Sequence, residues 1–72
     1  MQQRRSRDVS NFAAEVQRMH PSLRYCFAVD KSPHESIVLL AEAVGYPHKI
    51  EPTDKVAETC QKLWPYVLEY KS

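Results

Sequence analysis

Ser32-Pro33-His34-Glu35-Ser36-Ile37-Val38-Leu39-Leu40-Ala41-Glu42-Ala43-Val44-Gly45-Tyr46-Pro47 carries a start signal, an apolar period and a stop signal for one helix. Ser32 is placed to cap the first turn, and Pro33 suits the first helical position because no amide partner is needed there. Glu35, three residues after Ser32, can reach back to close a capping box. Ile37, Leu40, Ala41 and Val44 then recur at helical spacing, with Val38 widening the stripe. Gly45 supplies a left-handed cap and Pro47 follows two residues later. The pattern predicts a helix over 33–44.

On the N-terminal side, Val9, Phe12, Ala13, Val16 and Met19 form a second helical stripe. Asp8 or Ser10 can cap it, and Pro21 ends it because the residue before proline avoids helical geometry. A helix over 9–20 follows. Between the two helices, Leu23, Tyr25, Phe27 and Val29 alternate with Arg24, Cys26 and Ala28, which predicts a half-buried strand. A buried helical turn is the alternative for so short a run. On the C-terminal side, 47–51 reads as an extended linker, with a second strand through Lys49 and Ile50 conceivable. Glu51 or Thr53 is then placed to open a third helix, whose broad apolar face is Val56, Ala57, Cys60, Leu63, Trp64, Val67 and Leu68. Pro65 is expected to kink or divide it. The fold class is mainly α: a compact three-helix domain with one or two short strands, α+β being the variant in which they pair.

The chain has 72 residues, enough for one domain. A domain this short buries only about 60% of the surface its unfolded chain exposes. It has little room for an enclosed active site with supporting residues behind it. The net charge is +1, but Arg4, Arg5 and Arg7 stand together near the start, and without them seven Lys and Arg oppose nine Asp and Glu. The organisation expected is a flexible basic arm over 1–7 and a mildly acidic globular domain over 8–72. The arm suits phosphate or an acidic protein surface, with binding that weakens as salt rises. No apolar run is long enough to span a membrane and no signal peptide is recognisable. A cytoplasmic monomer with reduced Cys26 and Cys60 is the expectation.

The chemistry-bearing residues are thinly spread. His20, His34, His48, Cys26 and Cys60 never come closer than six positions, whereas zinc sites usually draw ligands from close pairs. One glycine cannot make a phosphate-cradling loop, and no spacing places either cysteine beside a histidine. The expectation is therefore no enzyme, no metal and no cofactor. Tyr66 and Tyr70 stand four apart and off the helical stripe, so an outer face shared by two tyrosines is expected there. Exposed tyrosines suit protein interfaces, and with Arg4, Arg5 and Arg7 they form the expected partner-binding set.

The Gln2-Gln3-Arg4-Arg5-Ser6-Arg7 arm, the start Asn11-Phe12-Ala13-Ala14-Glu15-Val16 and the ending Leu63-Trp64-Pro65-Tyr66 together resemble small phage-encoded regulators that bind host bacterial RNA polymerase. The resemblance spans most of the chain and contains no diagnostic motif, so it implies no residue roles. It implies an enzymatically inert transcription regulator of the host cytoplasm that contacts the large polymerase subunits. Its expected action is inhibition of initiation, antitermination, or both. The alternative is direct DNA binding by a helix-turn-helix, prompted by Leu39-Leu40-Ala41-Glu42-Ala43-Val44-Gly45. Against it stand Pro47 and Pro52 in the linker, and Asp54 and Glu58, which would repel phosphates.

Overall fold

The computed structural model describes residues 4–71, with side chains described from Val9 onward. Helix α1 spans Arg4–Met19, a 3-10 helix η1 spans Pro21–Phe27, α2 spans Pro33–Val44 and α3 spans Val56–Glu69. The fold is mainly α, with no strand among the described residues. η1 packs against both α1 and α2, and α3 packs against the same two helices. The Cα radius of gyration is 11.4 Å, close to the roughly 11 Å of a folded chain this long.

Helix α2 has the anticipated termini. The Ser32 hydroxyl accepts from the Glu35 amide at 3.2 Å, and the Glu35 carboxylate accepts from the Ser32 amide at 3.1 Å. Gly45 adopts φ 79° and ψ 30°. Its amide donates to Glu42 O and that of Tyr46 to Ala41 O, so a Schellman motif satisfies two of the last carbonyls.

Three expectations are corrected. First, 23–29 is not a strand. Alternation would turn Tyr25 and Val29 inward, yet they are 57% and 103% exposed. A 3-10 helix has about three residues per turn, so it stacks i on i+3. That geometry buries Leu23 and Cys26 together and leaves Arg24 and Tyr25 outside. Second, 47–51 is the linker expected, and the strand conceivable through Lys49 and Ile50 does not form. Glu51 starts a turn in which its carbonyl accepts from the Asp54 amide at 3.0 Å, while the Asp54 carboxylate accepts from the Glu51 amide at 2.9 Å. Pro52 falls second in that turn, a position its fixed φ favours. The turn consumes 51–54, so α3 begins at Val56 rather than at Glu51 or Thr53, and Lys55 at its N-cap makes no side-chain cap. Third, Pro65 does not divide α3, which runs through it to Glu69. Pro65 and Gln61, whose carbonyl loses its amide partner, are both exposed, so water can replace the missing bond.

Helix α1 also begins earlier than the expected 9–20. The backbone of Arg4, Arg5 and Arg7 is helical and continuous with the apolar part. Within the expected arm over 1–7, residues 1–3 lie outside the described residues. The core is Val16 from α1, Leu23 and Cys26 from η1, Ile37, Leu40 and Ala41 from α2, and Cys60, Leu63 and Val67 from α3. Phe12 and Trp64 pack against its edge.

Candidate functional site

Each of the three histidines has its own structural task. His20, just past α1, places ring Nε2 2.9 Å from Val67 O. A carbonyl can only accept, so Nε2 carries the hydrogen. The His20 ring also meets Tyr70 edge-on, with centroids 5.0 Å apart. Together these contacts pin the end of α1 to the end of α3. His34 Nε2 donates in the same way to Glu51 O at 3.1 Å, holding the 51–54 turn against the start of α2. His48 rests its ring on Tyr46 at 5.3 Å. Among the described residues, no three His, Cys, Asp or Glu side chains gather where they could hold an ion.

Cys26 is fully buried. Burial pushes its thiol above the ordinary value, and a hydrogen bond from Tyr25 offsets only part of that rise. The shift is opposite to that of an activated nucleophile. Cys60 is buried in α3 and belongs to the core.

Two of the surface depressions among the described residues lie one on each flank of α3. The first lies between α1 and α3. Phe12, Cys60, Gln61 and Trp64 line an open, mainly apolar groove of about 360 Å³. The Phe12 and Trp64 rings meet edge to face, with centroids 5.9 Å apart. Leu68, one helical turn beyond Trp64, is 54% exposed and carries the apolar surface onward. Sequence periodicity assigned Phe12, Trp64 and Leu68 wholly to the stripe. The signal it held was the width of that stripe, which is broader than one core can cover.

The second depression, about 380 Å³, is polar and is lined by Tyr46, His48, Lys49, Asp54, Thr59 and Lys62. Sequence reasoning missed it because its residues come from the 46–54 connection and the far flank of α3.

Of the five residues expected to bind a partner, the three arginines are described by their backbone alone. Arg4, Arg5 and Arg7 lie on α1, ahead of Phe12. Tyr66 and Tyr70 do not share an outer face. Tyr66 turns edge-on to Tyr46 at 5.2 Å, and Tyr70 turns onto His20. Both border the buried edge of α3, and neighbouring elements cover them, leaving both half-buried.

The connection between α2 and α3, residues 45–55, is eleven residues long. The helix-turn-helix alternative requires a turn of about 3–4 residues at that point, so the connection lends it no support. Comparison with protein-family models, curated proteins and solved structures finds no match.

Proposed function

We propose that this chain is a non-enzymatic regulator that docks on bacterial RNA polymerase through the α1–α3 groove. The observation that carries the docking surface is the Phe12–Trp64 groove with Leu68 exposed beside it. An aromatic-lined groove of this kind accepts an apolar anchor, the usual centre of a protein interface. The same helix that supplies Phe12 begins with Arg4, Arg5 and Arg7. At about 1.5 Å per residue, Arg5 lies roughly 10 Å along α1 from Phe12. The complementary partner surface is therefore an apolar side chain flanked by carboxylates. The sequence resemblance to phage-encoded regulators supplies the partner's identity, and with it the host cytoplasm as the place of action. The action is inhibition of initiation, antitermination, or both.

Purified bacterial polymerase, as core and as holoenzyme, tests this directly. Immobilised full-length protein should retain the enzyme at roughly 50 mM salt and release it progressively as salt rises. Leu68→Glu should abolish retention without unfolding the domain, and charge reversal at Arg4, Arg5 and Arg7 should weaken it. In transcription assays, the wild type should lower promoter initiation or raise terminator read-through, and Leu68→Glu should do neither. Absence of retention at low salt would overturn the proposal.

A further inference from the structure

We propose that the polar depression on the other flank of α3 binds a nucleotide unit, with its phosphate between Lys49 and Lys62 and its base on the Tyr46–His48 wall. The wall is fixed in place. Tyr46 is half-buried and makes near-perpendicular contacts with two rings, His48 at 5.3 Å and Tyr66 at 5.2 Å. Its near-perpendicular partners brace the ring, and aromatic walls of this kind stack bases with little regard to sequence. The cations are available. Lys49 and Lys62 are exposed, and among the described residues the single ion pair is Arg18 with Glu15, remote from this site. Asp54 also lines the depression and keeps its negative charge while accepting from the Glu51 amide, so two ammonium groups stand there against one carboxylate. The Thr59 hydroxyl is committed, donating to Lys55 O at 3.0 Å. Glu42 belongs to an adjoining depression on the α2 side of His48 and Lys49. Two unpaired ammonium groups beside a braced aromatic wall fit a phosphate joined to a flat ring. An acidic peptide would satisfy the cations and leave the wall unused.

A free mononucleotide and a single strand present the same chemistry, and titration of isotope-labelled full-length protein separates them. The probes are uridine monophosphate and an oligouridylate of about eight nucleotides, a length within the usual site size for single strands. Polyglutamate serves as the control. Either nucleotide probe should shift the amides of 46–50 and 59–62. Tighter binding of the oligomer identifies a strand, and equal binding identifies a free nucleotide. Lys49→Glu combined with Lys62→Glu should weaken oligomer binding at least about tenfold at low salt. It should also flatten the log–log salt slope by about 1.4, since each phosphate contact to a single strand contributes about 0.7. Leu68→Glu should leave oligomer binding unchanged, which separates this site from the protein-docking groove. No shift at 46–50 and 59–62 with either nucleotide probe at millimolar concentration overturns the proposal. Equal shifts with polyglutamate, or full oligomer affinity in the double lysine variant, also overturn it.

Discussion

Leu63 and Leu68 stand five residues apart on one helix, and truncating each to alanine should separate core from available surface. Leu63 has no exposed area and lies in the cluster formed by Val16, Leu23, Ile37, Leu40 and Val67, so four elements converge around it. Removing a buried leucine side chain costs about 2–5 kcal/mol, the higher values applying where surrounding groups cannot collapse into the space. A domain of 72 residues holds a total of about 4–11 kcal/mol at the usual density per residue. Leu63→Ala should therefore remove a large share of the stability and lower Tm by about 10 °C or more. Leu68 is 54% exposed, so its burial contributes only part of the roughly 1.5–3 kcal/mol available to a leucine, and Leu68→Ala should cost under about 1 kcal/mol. Urea unfolding followed by circular dichroism measures both, with the slope against denaturant as a control on the two-state assumption. Equal costs for the two truncations, or a larger cost at Leu68, would refute the assignment of Leu68 to the surface and with it the docking groove.

Ser32→Ala should cost about 1 kcal/mol by removing the hydroxyl that accepts the Glu35 amide, and Ser32→Asp should recover most of it in the same unfolding assay. A Cβ built on Gly45 meets nothing within 4 Å, so Gly45→Ala should cost about 1–2 kcal/mol through backbone conformation alone, with Gly45→Asn costing less. The Cys26 thiol is raised by burial, so as pH climbs above the ordinary value of 9.0 the unfolded chain ionises first. This share of the stability is complete below that pH and declines as pH rises through the folded thiol's value. Tyr25 acts in the same direction, raised first by the Cys26 charge and then by their hydrogen bond. Cys26→Ala should flatten the alkaline loss of stability in urea titrations, whereas an unchanged slope would show that other groups cause it.

Helix α2 was legible in full because both its ends are written in adjacent residues: Ser32 and Glu35 answer each other locally, and Gly45 needs only its own backbone. The apolar stripes of α1 and α3 were equally legible. The η1 segment was not, because seven residues that satisfy alternation at Leu23, Tyr25, Phe27 and Val29 also satisfy a period of three at Leu23 and Cys26. The choice depends on α1 and α2, which offer a narrow gap that two stacked side chains fill. The late start of α3 was hidden by the reciprocal Glu51–Asp54 bonds, which compete with helix initiation at Thr53. Of the candidate sites, the arginines were visible as a charge cluster. The groove was concealed within a stripe that looked wholly internal. His20 and His34 were weighed only as metal ligands, since nothing in the sequence reveals that a carbonyl 47 or 17 positions away will meet them.

The geometry of α3 explains how so small a domain presents two separate surfaces. At about 100° per residue, Val56, Cys60, Leu63 and Val67 fall within one narrow arc, and three of them are core residues. Ala57, Gln61, Trp64 and Leu68 lie on one side of that arc, where α1 supplies Phe12 to complete the groove. Thr59, Lys62, Tyr66 and Tyr70 lie on the other side, where the connection from α2 supplies Tyr46, His48 and Lys49. Pro65 falls opposite the core, on the solvent side, where water can reach the Gln61 carbonyl left without its amide partner. Lys62 and Leu68 are about 120° apart around the axis, so substitutions at one have no direct path to the other. The proposed protein-docking and nucleotide-binding activities can therefore be removed independently, and the four combinations of Leu68→Glu with the double lysine variant should behave additively.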